Sequence, residues 1–212
     1  MRCLLPLLLV LAAGCPSDPA PAPPQSPGRK QLDLSERILA AVPTLAKGDA
    51  GAQGDAALAL AEVAVPGHSA RLRLIAADDN PILGRGAAVA LVRIRLLREP
   101  TRDATLGECV KSETNQWVRE ECARRLAPAA PPTAAAPAAT LSLLDSGDLE
   151  TRRTGLRHLL AAPESVTAID ETVEGRLVHF LADDDARVRI LAEAVFLRRS
   201  LAQDPPAPAD PH

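Results

Sequence analysis

The fold is decided by the stretch DDDARVRILAEAVF at residues 183–196. Its three leading carboxylates are favoured at the start of a helix, where backbone N–H groups lack partners and the helix dipole is positive. Ala192 precedes Phe196 by four residues, so a small and a large side chain share one face of that helix. The stretch therefore predicts a capped helix that approaches a neighbour closely at Ala192 and fills the layer behind it with Phe196.

The same pattern occurs in four earlier segments, so the chain repeats itself every 31 to 37 residues. The small positions are Ala56, Ala87, Cys122, Gly155 and Ala192, and the large ones are Leu60, Leu91, Leu126, Leu159 and Phe196. An apolar helix is predicted before each turn, at residues 38–45, 72–76, 106–110, 141–144 and 177–181. Because one unit of this size cannot bury its apolar face alone, the units must stack. We therefore expect an all-α fold, a short α-solenoid of about five helix-turn-helix units.

The acidic turn followed by Val-Arg at residues 184–189, with fair matches at 115–119 and 148–152, resembles the HEAT repeat. The resemblance is strongest to the bacterial HEAT-like type found in phycobilisome lyases, and it covers roughly residues 32–203. In the first two units Gln53 and Gly84 stand where the repeat has arginine. The alternative is an irregular Ala-rich helical bundle.

The matching arginines are Arg119, Arg152 and Arg189. They have two interpretations: contacts to a partner on an extended concave face, or hydrogen bonds between repeats. The arginines of the second unit likewise form either a solvated face or a docking patch for an acidic partner; they are Arg71, Arg73, Arg85, Arg93, Arg95, Arg98 and Arg102.

Composition supports packed helices and argues against a nucleic-acid partner. Trp117, Phe180 and Phe196 are the only aromatic residues, so Ala, Leu and Val must supply the buried surface. Ala and Leu are strong helix formers, whereas strands prefer β-branched and aromatic residues. The formal net charge is −3, and one Trp with no Tyr provides no stacking platform for bases.

The N-terminus predicts export. Arg2 precedes an apolar run at residues 4–13 that spans roughly 15 Å as a helix, about half of a bilayer core, so it is a signal-peptide core. The run ends in Leu11-Ala12-Ala13-Gly14-Cys15, which resembles the lipobox of bacterial lipoproteins except that Ala12 stands where the family prefers Leu. The resemblance implies cleavage before Cys15 and acylation, including palmitate, of its sulfur and new amine. The alternative is an ordinary secretory signal with a chance cysteine.

The lipoprotein resemblance also implies a membrane and a domain plan. Acyl chains would anchor the protein through Cys15, and the absence of Asp after this cysteine favours the outer membrane, on its periplasmic or surface side, over the inner one. The predicted plan is a signal peptide at 1–14, a lipidated Pro-rich linker at 15–31, units 1–3 at 32–127, a Pro/Ala-rich interruption at 128–139, units 4–5 at 140–203, and a disordered tail at 204–212.

Few residues suggest site chemistry. Cys109 and Cys122 flank one turn on two antiparallel helices, and export favours a disulfide between them; the alternative is two buried thiols. The acidic runs at 78–79 and 183–185 are interpreted as helix caps rather than calcium ligands. Four scattered histidines (His68, His158, His179, His212) and the lack of a catalytic motif predict no catalytic residue, metal or cofactor.

The predicted function is that of a membrane-tethered, non-catalytic scaffold that binds another envelope protein or a peptide segment. The alternatives are an accessory or lyase-like enzyme subunit, as the repeat family implies, and a structural spacer without a specific partner. No oligomeric state is predicted.

Overall fold

The computed structural model describes residues 27–98, 101–126, 142–161 and 171–203. The predictions for the signal peptide, Cys15, the interruption at 128–139, the tail and His212 lie outside these residues. Within the described ranges no helix combines the length and the apolar character needed to cross a bilayer.

The described residues form helices and no strand, so the all-α prediction is confirmed. The α-helices are α1 (Pro27–Leu45), α2 (Ala50–Leu60), α3 (Ser69–Ala76), α4 (Pro81–Arg98), α5 (Arg102–Ser112), α6 (Gln116–Leu126), α7 (Leu149–Ala161), α8 (Glu171–Phe180) and α9 (Ala186–Gln203). A 3₁₀ helix covers Pro66–His68, and residues 142–144 are also helical.

Polar turn residues cap the helices that carry the repeated pattern, here called the second helices (α2, α4, α6, α7 and α9). The capping side-chain oxygens accept backbone N–H groups at 2.7–3.2 Å: Asp49 from Ala52, Asn80 from Leu83, Asn115 from Val118, Asp148 from Thr151, and Asp185 from Val188. The capping prediction is therefore confirmed for the acidic run at 183–185, through Asp185, and is wrong for the run at 78–79, because Asn80 caps α4. The turns thus fix where each second helix begins.

The small positions of the repeat are all buried, as predicted. Four of the five large positions are buried as well, but Leu126 is 41% exposed. Leu126 is the last residue of α6, and this helix packs mainly on α4 and α5.

The second helices lie side by side in the order α6–α4–α2–α9–α7. Helices α3, α5 and α8 pack on the second helices that follow them, and α1 packs on both α2 and α9. Helix α9, the last helix of the described residues, is therefore inserted between α2 and α7 and is a direct neighbour of the first unit. We refer to this arrangement as the helix row.

Helix α1 begins at Pro27, inside the segment 15–31 predicted as linker. Proline is tolerated in the first turn of a helix because its missing N–H would lack a partner there in any case. The second turn of α1 contacts α9. Gln31 Nε2 donates to the carbonyl oxygen of Ser200 at 3.3 Å, and Leu34 is buried. The start of α1 therefore lies beside the C-terminal part of α9.

Candidate functional site

A buried carboxylate joins three helices in the middle of the helix row. Asp55 on α2 is 1% exposed. Its Oδ1 accepts Nε of Arg157 from α7 at 2.7 Å, and its Oδ2 accepts Nε of Arg187 from α9 at 2.6 Å. The hydrogen bond to Asp55 raises the pKa of Arg157, so this arginine stays charged. A buried carboxylate with two guanidinium partners is a structural ion cluster that holds α2, α7 and α9 together.

A second buried carboxylate, Glu62, follows the end of α2 and is 3% exposed. Its Oε2 accepts Nη1 of Arg93 from α4 at 2.6 Å, and its two oxygens accept Nε and Nη2 of Arg198 from α9 at 2.9 and 2.8 Å. Arg198 Nη1 also donates to the carbonyl oxygen of Leu160. The guanidinium of Arg93, predicted on a solvated or docking face, is therefore held inside the helix row.

Sequence reasoning did not identify these two carboxylates. Asp55 lies on α2 and Glu62 just after its end, and the two carboxylates enclose the Ala- and Leu-rich run at 56–61. Two carboxylates at the ends of an apolar run are a signal for internal ion pairs. The partners themselves could not be read from the sequence, because three of them lie 102 to 136 residues away.

The structure does not bring the three predicted arginines to one site. Arg152 Nη1 lies 3.1 Å from Oδ2 of Asp183, which is an ion pair between the fourth and fifth units. Arg189 donates to the backbone oxygen of the same residue. Arg119 lies on α6 at the other end of the row, where its Nη1 donates to the carbonyl of Glu113 at 3.3 Å. Each of the three arginines therefore makes a hydrogen bond within the molecule.

In the first two units, Gln53 and Gly84 stand at the position where the other three units have arginine, and their surroundings differ. Gln53 Nε2 donates to the carbonyl of Ala46 at 3.0 Å, so it binds the turn before its own helix as Arg119 and Arg189 do. At Gly84 a Cβ atom would lie 2.8 Å from Cδ1 and Nε1 of Trp117. The glycine therefore leaves room for the indole ring between α4 and α6.

The open surface between α4 and α6 forms a depression of about 400 Å³, here called the tryptophan groove. It is lined by Arg85, Val89, Trp117, Glu120, Glu121 and Arg124. The guanidinium of Arg85 lies over the indole ring of Trp117 with its Cζ 4.8 Å from the ring centroid, a cation–π contact. Trp117 is half-buried and Arg85 is exposed, so the ring is held in place and both groups face the groove.

At the edge of the tryptophan groove, Glu121 pairs with two arginines of its own helix, Arg124 and Arg125. Burial acts to raise the pKa of Glu121, but hydrogen bonds from Arg124 and Arg125 outweigh it and the pKa is lowered. Arg124 Nη2 and Arg125 Nε lie 2.6 Å from Glu121 Oε1. The Arg124 side chain is 67% exposed, so this edge presents a cation beside a shielded carboxylate.

The remaining arginines of the second unit differ in how they are engaged. Arg71 Nη2 donates to the carbonyl oxygen of Leu39 at 2.8 Å, and Arg102 Nη2 to that of Arg125 at 3.3 Å. Arg73 and Arg95 both approach Glu113 and line an open depression. The side chain of Arg98 lies outside the described part of the structure.

Cys109 and Cys122 form a disulfide between α5 and α6, with Cα atoms 6.2 Å apart and both residues fully buried. This pair joins the two helices at one end of the helix row.

The three described histidines differ in their exposure. His158 and His179 are exposed, whereas His68 is buried with Nδ1 3.5 Å from a carboxylate oxygen of Glu36. Among the described residues, no group of three or more His, Cys, Asp or Glu is arranged to hold a metal ion.

The chain matches no protein-family profile, no curated protein and no solved structure.

Proposed function

We propose that this chain is an envelope lipoprotein, tethered through acylated Cys15, that binds a protein segment on the open face of an α-solenoid of degenerate HEAT-like repeats. The observation that supports this function best is the tryptophan groove. It combines an indole ring held at a fixed position, an exposed guanidinium stacked on that ring, and a concave surface between two second helices.

Tryptophan and arginine are the residue types that most often dominate binding energy at protein interfaces. Trp117 is the only Trp of the chain, and it lies half-buried on this surface. Its ring is already ordered by Arg85 and by the space at Gly84, so little side-chain entropy would be lost on binding. The groove offers apolar contact from Val89 and Trp117 with charged groups at its edge, which suits a peptide segment.

The proposed tether would join the middle of the helix row. Pro27 begins α1, which packs on α2 and α9, two central members of the row. The lipid-bearing segment therefore leads to the centre, and the two ends of the row project on either side of the attachment. Such a placement suits a scaffold that presents its lateral surface to a partner.

The tether is tested by fractionation of cells that produce Cys15→Ser. We expect the wild-type chain in the membrane fraction and the variant in a soluble fraction. Equal membrane association of the two would overturn the lipid anchor.

The groove is tested by placing a photo-reactive amino acid at Trp117, with Leu74 as the matched control. Leu74 lies on α3, outside the groove, and is 75% exposed. We expect a protein partner to be crosslinked in the native envelope from position 117 and not from position 74. The purified partner should then change the fluorescence of Trp117, and Arg85→Gln should weaken its binding at least tenfold. No crosslink at either position would favour the spacer function and contradict this proposal.

A further inference from the structure

In the described part of the chain, three buried carboxylates are each shared by two arginines from other helices: Asp55, Glu62 and Glu113. Glu121 also binds two arginines, but both lie on its own helix. At Asp55 and Glu62 the N–O distances are 2.6 to 3.1 Å, and each arginine side chain is at most 27% exposed. Those two clusters are closed, because four guanidinium groups and two carboxylates meet with short contacts in the interior.

The third cluster has the same composition but is open. Glu113 is 5% exposed, and it lies 3.5 Å from Arg73 Nη1 and 3.4 Å from Arg95 Nη2. The side chains of Arg73 and Arg95 are 55% and 30% exposed. One carboxylate thus faces two guanidinium groups at long distance, and neither guanidinium is held by a short contact to Glu113.

Beside this cluster is a depression lined by both polar and apolar groups, and the two arginines lie at its edge. Two adjoining hollows of about 240 and 250 Å³ share Arg73, Leu91, Glu113 and Val118, and one of them also reaches Ile94 and Arg95. Leu91, Ile94 and Val118, which line it, also belong to the hydrophobic core. We call this surface the arginine groove.

We propose that the arginine groove binds a carboxylate that stands beside an aliphatic side chain in an acidic protein segment. The carboxylate would accept N–H groups of Arg73 and Arg95. It would give these two guanidinium groups the short acceptor contacts that the arginines of the closed clusters already have. A planar guanidinium donates two parallel hydrogen bonds to a carboxylate. The aliphatic side chain would lie on Leu91, Ile94 and Val118.

The charge balance favours a single carboxylate over a phosphate group. Arg73, Arg95 and Glu113 together carry one net positive charge, which a monoanion neutralises. Because Glu113 is fixed in the same cluster, a dianion would be repelled by it at short range. Leu91, Ile94 and Val118 add apolar contact for a side chain, which inorganic phosphate does not have.

This inference names the partner chemistry of the proposed scaffold and therefore rests on that function, but it concerns a different surface. The probe is N-acetylleucine, followed through the Nε–H resonances of arginine in the full exported chain. We expect saturable shifts at Arg73 and Arg95 with a dissociation constant of about 1 mM, as suits so small a ligand. N-acetylleucinamide lacks the carboxylate and acetate lacks the side chain, so each should bind at least tenfold more weakly.

Matched variants separate the two grooves. Arg73→Gln should weaken N-acetylleucine binding at least tenfold, whereas Arg71→Gln on the same helix and Arg85→Gln in the tryptophan groove should leave it unchanged. Circular dichroism of each variant checks that the fold is kept. Binding of the amide or of inorganic phosphate as tight as that of N-acetylleucine would overturn the proposal, as would an unaltered Arg73→Gln protein. Loss of partner binding in Arg85→Gln alone bears only on the tryptophan groove.

Discussion

Asp55 shows how a single side chain can hold distant parts of the molecule together. The carboxylate is almost fully buried, and its cost of desolvation is offset only because Arg157 and Arg187 both donate to it. If the carboxylate is removed, two guanidinium groups are left in a half-buried site without their shared acceptor.

Asp55→Asn is therefore expected to lower the free energy of unfolding by about 3 kcal/mol, measured by urea denaturation. Asp49→Asn is the matched control, since Asp49 is 74% exposed and Asn caps a helix as well as Asp does. The control should stay within about 0.5 kcal/mol of wild type. Equal loss in both variants would show that charge alone, and not the buried cluster, determines stability.

His68 is the buried histidine of the described chain. Burial lowers its pKa, the carboxylate of Glu36 acts in the opposite direction, and Arg71 lowers it further. The folded protein therefore holds His68 neutral at a pH where the unfolded chain, with a histidine pKa of about 6.5, already takes up a proton. Protons then favour unfolding, so stability falls as the pH decreases through this range.

We expect the melting temperature of the wild-type protein to fall between about pH 7.5 and pH 5.5 more steeply than that of His68→Gln. The difference between the two curves isolates His68 from the other titrating groups. Parallel curves for the two proteins would contradict the assigned burial of this side chain.

At the residue scale, the sequence predicted the contacts that a side chain makes with its own helix or turn. An Asp or Asn in the turn before a helix accepts the unpaired backbone N–H that lies three residues further on, in the first turn of that helix. Asp185 and Asn115 could therefore be predicted as caps without a structure. The roles of Arg152 and Arg189 could not be predicted. An arginine that binds a partner and an arginine that binds the next repeat would occupy the same exposed position in the repeat pattern.

At the scale of elements, the approach of α2 and α4 depends on Gly86. A Cβ atom at this position would lie 2.7 Å from Cα of Ala57 and would also meet its carbonyl oxygen. Because the obstacle is backbone, α4 could accept the extra atom only by moving away from α2.

Gly86→Ala should therefore lower the free energy of unfolding by about 1–3 kcal/mol. Gly54→Ala on α2 is the control, since no atom lies within 4 Å of its added Cβ and alanine favours a helix. The control should gain about 0.5–1 kcal/mol. Thermal unfolding of the two variants measures opposite signs if α2 and α4 are in backbone contact, and the same sign if they are not.

The disulfide fastens α5 to α6 at one end of the helix row. Cys109 and Cys122 are separated by 13 residues, so a bond between them restricts a short loop of the unfolded chain and stabilises the protein by about 3 kcal/mol. Replacing both by alanine should remove this amount and loosen that end first.

The bond itself is tested by peptide mapping. Trypsin cuts between the two cysteines at Lys111 and Arg119, so the peptides that carry Cys109 and Cys122 should appear as one linked mass that reduction separates. Two unlinked peptides with blocked thiols, in protein kept from reductant, would rule the disulfide out.

Element ends were harder to predict than element type. The start of α1 at Pro27 follows from contacts with α9, which no local pattern reveals. The exposure of Leu126 likewise depends on which helix is last in the row. The repeat pattern predicts the face that a residue occupies, but not whether a neighbour covers it.

At the scale of the whole molecule, the chain order and the spatial order of the helices differ. The sequence predicts units that stack, and the small positions that allow stacking are all buried. It does not predict that α9 lies against α2, because that choice depends on ion clusters between residues more than a hundred positions apart. The placement also puts the start of α1 at the centre of the row, which gives the proposed tether its position.

The placement of α9 is tested most directly by a double-mutant cycle between Glu62 and Arg198. Their side chains meet at 2.8 and 2.9 Å across the contact between the first unit and the last helix. Unfolding of Glu62→Gln, Arg198→Gln and the double variant should give a coupling energy of about 2 kcal/mol. A coupling energy within about 0.5 kcal/mol of zero would show that the two residues are not in contact, and would contradict the helix order described above.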